Sequence, residues 1–307
     1  MPPVAETDVS GSDNSKQIWI VSDGKPGHLN QSRGLAEAIA RRCDVCISEQ
    51  PPMGKLQALR LCFSAGLPRM DEKPTLIIGA GHATHLTLLA LRRFYRAPAV
   101  VLMQPSLSTG FFDLCLIPEH DQPHKRPNII TTRGALNRMQ PGEKVPGSGV
   151  VLIGGPSKHF DWDETAVLSQ VEALLAAEPR QWLIGSSRRT PASTEQALAA
   201  LAGGRFVPAA ETGPDWLPQQ LGRAEVCWVT QDSASMVYEA LTAGCKVGVL
   251  TLDEQADNRI SRGVDELRAQ GLVSRAPDWT LECLSMPGMP FNEAERCAEA
   301  ILKRGWL

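Results

Sequence analysis

The chain has 307 residues, 43% of them hydrophobic, and a formal net charge of −3 that is spread without long runs of one sign. This length predicts two domains with full hydrophobic cores. The dispersed charge argues against nucleic acid as a partner, because nucleic-acid binding is driven by clustered Lys and Arg. No apolar run reaches the ~18 residues that a membrane-spanning helix needs.

Residues 1–16 are polar and predict a disordered leader rather than a signal peptide. Cys43 and Cys46 form a C-x-x-C, which is typical of a redox pair or of half a zinc site. No second pair follows at zinc-like spacing, and most other cysteines lie in apolar stretches, where a thiol packs as a small hydrophobe. We interpret the cysteines as structural, and we expect no metal, no cofactor and a reducing, cytoplasmic location.

In chain order, strands alternate with helices. The first half has predicted strands at 17–21, 75–78, 99–103, 114–117 and from 129, and predicted helices at 30–42 and 83–94. A Pro- and Gly-rich linker is predicted at 140–149. The second half has predicted strands at 150–153, 181–184, 225–230 and 246–250, and predicted helices at 164–177, 193–202, 235–243, 258–269 and 292–303.

This alternation predicts an α/β protein with two Rossmann-like domains that face each other across a cleft, the glycosyltransferase-B type. We expect an acceptor-side domain at residues 17–145 and a nucleotide-binding domain at residues 146–290. Residues 291–307 are expected to form a C-terminal helix that crosses back to the first domain. Ligands of parallel sheets bind at the carboxyl ends of the strands, so the site is expected in the cleft.

Two loops of the second half carry groups that suit a diphosphate. Glycines let a backbone approach a phosphate closely, and hydroxyls, ammonium and guanidinium groups donate to its oxygens. Either loop could also be an ordinary solvated turn. The candidates are Gly155, Ser157 and Lys158 in the first loop, and Ser187, Arg188 and Arg189 in the second.

The helix after the strand at 225–230 is the most informative stretch. Ser233 or Ser235 is expected to cap it, and a carboxylate at Glu239 can accept two hydroxyl hydrogen bonds, as a ribose presents them. The alternative is a carboxylate that merely stabilises the helix start, and Asp232 could serve the same purpose. The nucleotide-binding candidates here are Asp232, Ser233, Ser235, Met236 and Glu239.

The first half places a histidine in a Gly-rich loop at the end of its first strand. His28 or Asp23 is the candidate base that removes a proton from an acceptor hydroxyl. The acceptor-side candidates around them are Gly24, Lys25, Gly27, Asn30, Gln31, Gly81, His82 and Gln104. His28, His82 and His85 do not have the spacing of a metal site, because no carboxylate joins them.

Residues 55–63 (KLQALRLCF) form a basic amphipathic stretch. We expect a core-facing helix here. The alternative is a patch that contacts a membrane surface or a lipid acceptor.

Two of these stretches resemble parts of lipid-II N-acetylglucosaminyltransferase. GKPGHLNQSRGLA, from Gly24, resembles its N-terminal glycine loop with a histidine, although two extra residues separate His28 from Gly34. SASMVYEALTAGCKVGVL, from Ser233, resembles its nucleotide-sugar segment. The resemblance implies that Glu239 binds ribose, that Gln104 lies in the acceptor half, and that residues 257–259 (DNR) open the next helix.

Three motifs together, GKPGH-x-NQ, GGPSKH and TQDS-x-SM, resemble the mitochondrial-fission ELM-type family over about residues 17–275. This resemblance implies a glycosyltransferase-like fold. The plant member implies a fission adaptor on the mitochondrial surface, whereas bacterial members are labelled nucleotide-sugar enzymes.

Two function classes therefore remain as hypotheses. The first is a metal-independent glycosyltransferase that uses a nucleotide-diphosphate sugar and a small-molecule or lipid acceptor in cell-envelope glycan or glycolipid synthesis, with peripheral contact at the inner face of the membrane. The second is a non-catalytic adaptor in membrane or fission processes. A dinucleotide-dependent enzyme is weaker, because the loop from Gly79 to Gly81 has only the first two glycines of G-x-G-x-x-G.

Overall fold

A computed structural model describes residues 16–63, 73–255, 259–277 and 291–307, with only the backbone of Arg259 and Ile260. The predicted leader (apart from Lys16), residues 257 and 258 of the DNR cluster, and Cys283 lie outside the described residues. Among the described residues, no helix combines the length and the apolar character needed to cross a bilayer.

The first half folds around a parallel sheet of six strands in the order β2-β1-β3-β4-β5-β6. These strands are β1 (Lys16–Val21), β2 (Val45–Gln50), β3 (Pro74–Ala80), β4 (Ala99–Leu102), β5 (Leu114–Pro118) and β6 (Ile129–Thr132). All of its described strand pairs are parallel. The second half repeats this plan with the order β12-β11-β10-β7-β8-β9. Its strands are β7 (Val145–Ile153), β8 (Gln181–Ser186), β9 (Gly204–Val207), β10 (Ala224–Thr230), β11 (Lys246–Leu250) and β12 (Val273–Arg275).

Helices cover both faces of each sheet. They are α1 (Pro26–Ala40), α2 (Lys55–Phe63), α3 (His85–Tyr95), α4 (Glu164–Ala177), α5 (Ala192–Ala200), α6 (Trp216–Arg223), α7 (Ala234–Thr242), α8 (Arg259–Ala269) and α9 (Glu293–Leu302). The predicted α/β class with two Rossmann-like sheets is confirmed. The predicted helix at 164–177 and strand at 246–250 have the observed bounds.

Alternate residues of one strand pack into different layers. Ile18 and Ile20 of β1 belong to the core beneath α1, while Trp19 and Val21 belong to the core beneath α3. This follows from the two-residue period of a strand. Helix α9 packs on α1, and its Ile301 is part of the first of these cores.

Several elements differ from the sequence predictions. Helix α1 begins at Pro26 rather than residue 30, because Pro favours the first helical position, where its missing N–H is not needed. Strand β7 begins at Val145, inside the predicted linker, and includes Gly147 in a left-handed conformation. Strands β2, β9 and β12 and helix α6 were not predicted. Strands β9 and β12 are short, β2 has no continuous apolar run, and α6 has only eight residues with Pro218 among them.

Gly34 lies where α1 crosses the segment that leads from the first sheet to the second. A Cβ there would be 2.2 Å from the carbonyl oxygen of Asn137, which is far below van der Waals contact. Asn137 also donates to the Thr242 hydroxyl of α7 at 3.0 Å. The absence of a side chain at Gly34 therefore lets α1 approach a segment that contacts the second half.

We predict that Gly34→Ala lowers the free energy of unfolding by about 2 kcal/mol, because a rigid backbone would have to move. The matched control is Gly222→Ala in α6, where no heavy atom lies within 4 Å of the added Cβ. That change should be neutral or stabilising by about 0.5 kcal/mol through helix propensity. Urea unfolding of both variants measures the difference, and equal effects would contradict the close approach.

Candidate functional site

One cavity lies between the two halves of the chain, since residues of both halves line it. It has a volume of about 380 Å³. The first half contributes residues of α1 and of the segment after β6, and the second half contributes α6 and α7. Its lining is Pro26, Gly27, Leu29, Asn30, Gln31, Arg33, Ala135, Leu136, Asn137, Arg138, Met139, Pro214, Leu217, Pro218, Ser235 and Glu239.

Two residues that line this cavity form a hydrogen bond between the two halves. The Asn30 amide on α1 donates to Glu239 Oε1 on α7 at 2.9 Å. Both residues were candidates, but the sequence placed them in different subsites and did not indicate that they touch. Burial raises the pKa of Glu239 to about 7, while the hydrogen bond from Asn30 acts to lower it.

Helix α7 presents its start to the cleft because it follows the buried strand β10. Ser233 is at the N-cap, yet its side chain makes no capping hydrogen bond, so the expected hydroxyl cap is wrong. The Ser233 hydroxyl is instead 3.5 Å from that of Ser235. Met236 is half-buried beside them. The first N–H groups of α7 therefore do not donate to the N-cap side chain, which accepts a hydrogen bond from them in many helices.

Glu239 lies beyond the first turn of α7 and is buried, with 8% exposure. It does not act as the carboxylate that stabilises the helix start. Its position, side-chain burial and contact with Asn30 agree with a carboxylate directed into the cleft.

Three of the donor-side candidates meet in one cluster. Arg189 Nη2 donates to Asp232 Oδ2 at 2.6 Å, and Arg189 Nη1 donates to the carbonyl oxygen of Gly155 at 2.9 Å. The Gly155 N–H donates to the same Asp232 oxygen at 3.2 Å. The Asp232 side chain is fully buried. This cluster joins the loops after β7, β8 and β10, so Arg189 and Asp232 brace the loops.

The remaining donor-side candidates lie on the same two loops. Lys158 and Arg188 are exposed, whereas Ser157 and Ser187 are partly buried and hydrogen-bond within their own loops, to the backbone N–H groups of His159 and Arg189. Over the part of the chain that the structure describes, the lining of the cavity between the halves includes neither Lys158 nor Arg188. Their convergence with Glu239 on one ligand stays a prediction.

The first half contains a histidine–aspartate pair at the start of α1. His28 Nδ1 lies 3.0 Å from Asp23 Oδ1, and Lys25 Nζ lies 3.5 Å from Asp23 Oδ2. Burial acts to raise the pKa of Asp23, but the hydrogen bonds from His28 and from the Lys25 backbone outweigh it, and the pKa is lowered. Gly81 has a φ of 83°, and a Cβ there would be 2.4 Å from His28 Cε1. Gly81 therefore makes room for the imidazole.

The other acceptor-side candidates have separate environments. Gly24 is exposed with a φ of 78°, Gln31 donates to Met103 Sδ at 3.7 Å, and His82 and Gln104 are exposed. Met103 has a φ of 71°, a strained conformation for a residue with a side chain. His85 is separate: it is buried and bonds the Ser106 hydroxyl at 3.2 Å.

A second cavity of about 150 Å³ shares Gln31, Ala135 and Ser235 with the first. It reaches Met103 and His120 in the first half and Tyr238 in the second. Sequence reasoning missed the whole wall formed by residues 135–139, and also Arg33 and the Pro214–Pro218 stretch. No local signal in the sequence marks these residues, since they reach the cleft only through tertiary packing.

Comparison with known proteins relates the chain to a family. A family model described as mitochondrial fission ELM1 matches residues 26–305. An uncharacterized protein of Rickettsia prowazekii is 22% identical, and the alignment covers 92% of this chain and 97% of that protein.

Two solved structures are similar in fold. A Listeria monocytogenes protein assigned as a UDP-N-acetylglucosamine 2-epimerase has a TM-score of 0.59 at 9% identity, over 94% of this chain and 95% of its own. The glycosyltransferase of kitacinnamycin has a TM-score of 0.53 at 14% identity, over 94% and 99%. At these identities the likeness shows the fold, which is of the glycosyltransferase-B type.

The raised pKa of Glu239 predicts a specific pH dependence of stability. A carboxyl with a raised pKa in the folded state favours folding below its ordinary value of 4.5, and this contribution is lost as the pH rises through about 7. As the pH rises from 4.5 to 8, we expect the free energy of unfolding of the Glu239→Gln protein to increase by roughly 3 kcal/mol relative to that of the unchanged protein. Urea unfolding at several pH values measures this difference.

Asp113→Asn is the control for this pH series. Its partner Arg92 lowers the pKa of Asp113, although burial opposes this. The stability difference caused by Asp113→Asn should therefore stay constant between pH 5 and pH 8. If the stability difference caused by Glu239→Gln were also independent of pH, the Glu239 carboxyl would not be desolvated.

Proposed function

We propose that this chain, which belongs to the mitochondrial fission ELM1 family, is a metal-independent glycosyltransferase that uses a nucleotide-diphosphate sugar. The observation that carries the proposal is the buried Glu239 carboxyl at the cleft, one turn beyond a helix start that has no side-chain cap. A carboxylate, preceded by helix N–H groups that the N-cap side chain does not bond, suits a ribose and the diphosphate attached to it.

In the donor complex, the ribose hydroxyls donate to Glu239 in place of the Asn30 amide. The diphosphate lies at the start of α7, near Ser233, Ser235 and the backbone of Met236. Ser157, Lys158, Ser187 and Arg188 supply further donors from the neighbouring loops, which Arg189 and Asp232 hold in place. Fixed donors of this kind stabilise the charge that develops on a leaving diphosphate.

The acceptor enters from the first half, along Gly24, Lys25, Gly27, Gln31, Gly81, His82 and Gln104. Asp23 accepts a hydrogen bond from His28 Nδ1–H, so the Nε2 of His28 is left to remove the proton of an acceptor hydroxyl. The sequence left the base open between these two residues, and the pair favours His28. A small molecule or a lipid in cell-envelope glycan synthesis, taken up in the cytoplasm or at the inner face of the membrane, fits this role.

The fold comparisons support a nucleotide sugar, because the Listeria monocytogenes protein bears the name of a UDP-N-acetylglucosamine enzyme and the kitacinnamycin protein that of a glycosyltransferase. The second candidate function is a non-catalytic adaptor. The family description, mitochondrial fission, favours it. An adaptor would keep its biological activity when Glu239 is lost.

Calorimetry with uridine, guanosine, cytidine and thymidine diphosphates tests the donor site. We expect one of the four nucleoside diphosphates to bind. Glu239→Ala should weaken its binding about tenfold to a hundredfold, since hydrogen bonds to a charged group contribute roughly 1.5–3 kcal/mol. The matched control is Glu172→Ala on the exposed face of α4. The 2′-deoxy form of a bound ribonucleotide should bind the unchanged protein more weakly and the Glu239→Ala protein equally well. Folded protein that binds none of these diphosphates would remove the proposal.

The His28–Asp23 pair predicts a separate loss of turnover. His28→Ala should lower kcat about 10²–10⁴-fold, the range typical of a general base. Asp23→Asn should lower it less, because it only misorients the imidazole. Neither change should alter nucleotide affinity, since both residues lie in the first half. Release of nucleoside diphosphate from the donor measures kcat, and an unchanged rate for His28→Ala would exclude it as the base.

A further inference from the structure

Helix α2 carries an apolar stripe that does not face the core. Leu56, Leu59 and Phe63 are 75%, 56% and 78% exposed, and Ala58 is the helix's one buried residue. At 100° per residue, the three large side chains fall within about 60° of one another around the helix. Helix α2 does face the core as expected, through Ala58 and Leu61, and the stripe lies on another side. Aligned apolar side chains at such exposure mark a contact surface more than isolated ones do.

Positive charges border the stripe on both sides. On the same helical projection, Lys55 lies at one edge and Arg60 at the other, and both are exposed. Neither α2 nor the neighbouring α3 contains Asp or Glu. Arg93 of α3 donates to the Cys62 carbonyl oxygen at 2.7 Å, so another cation lies at the end of α2.

The pattern continues past the end of α2. A shallow depression is lined by Cys62, Arg93, Arg96 and Phe111, among others. Phe111 is 54% exposed. Apolar side chains and arginines thus occur together over a surface wider than one helix, and the one acidic residue among the described residues that line the depression, Asp113, is paired with Arg92.

We propose that this surface, the α2 face (residues 55–63 with Arg93, Arg96 and Phe111), docks on an anionic lipid bilayer. The helix lies in the plane of the interface, with Leu56, Leu59 and Phe63 among the acyl chains. Lys55 and Arg60 extend to lipid phosphates, as long basic side chains do at such a boundary. The exposure of the stripe and the cations that border it suit a flat negative surface. This inference goes beyond the proposed function, because it does not depend on sugar transfer.

Sedimentation with vesicles tests the α2 face. The full chain is mixed with vesicles of phosphatidylcholine alone and of phosphatidylcholine with about 30% phosphatidylserine. We expect at least tenfold stronger binding to the anionic vesicles. The combined change Leu56→Ser, Leu59→Ser and Phe63→Ser should weaken that binding at least tenfold. The combined change Lys55→Glu and Arg60→Glu should weaken binding to the anionic vesicles at least about fivefold for each positive charge removed.

Control variants distinguish vesicle binding through the α2 face from nonspecific adsorption. Val145→Ser and Arg205→Glu change exposed residues of the second half and should bind vesicles like the unchanged protein. Glu239→Ala should also bind normally, so that a failure of the donor site and a failure of lipid docking give different results.

Three outcomes would overturn the inference. The first is vesicle binding that the serine and glutamate changes leave intact. The second is a fall of several degrees in Tm for the triple-serine protein, because a stripe exposed to water contributes little to folding. The third is an absence of vesicle binding together with a self-association or a protein contact that the triple-serine change abolishes, which would assign the face to a protein partner.

Discussion

The cleft depends on one buried carboxyl. Glu239 is desolvated between the two halves, and among the described residues one hydrogen bond, from Asn30, replaces its hydration. A single amide donor does not compensate fully, which is why burial raises its pKa to about 7. Two ligand hydroxyls would supply two donors and favour the ionised form. Because Asn30 belongs to α1 and Glu239 to α7, a ligand that takes the place of Asn30 also changes the contact between the halves.

The second-half loops are held by paired charges, and the residues proposed to bind phosphate lie on the same loops. Arg189 and Asp232 resemble the other basic and acidic candidates in sequence, yet their charges are paired across three strand-end loops. A buried carboxylate such as Asp232 requires this pairing. The effect is to fix the loops that carry Ser157, Lys158, Ser187 and Arg188. Side chains on a fixed backbone can meet an anion with little reorganisation, which is the condition for electrostatic stabilisation of a leaving group.

The same distinction explains how much the sequence alone could predict. Strands buried on both faces, such as β10 and β11, have continuous apolar runs, and their succession with helices was enough to predict the fold and to place Glu239 on the helix that follows β10. The edge strands β2, β9 and β12 lack such runs, and the Pro- and Gly-rich start of β7 looks like a linker because it is exposed. Contacts between distant segments, including Asn30 with Glu239 and Gly34 with Asn137, follow from packing that no local pattern encodes.

The first sheet also shows why the α2 stripe needs a cause other than folding. One face of that sheet is covered by α1 and α9, and the other by α3 together with Leu61 of α2. Helix α2 thus meets its packing role with Ala58 and Leu61, and a polar outer side would serve this role equally well. Leu56, Leu59 and Phe63 instead expose apolar surface that water disfavours. A surface that covers the stripe would remove this unfavourable exposure.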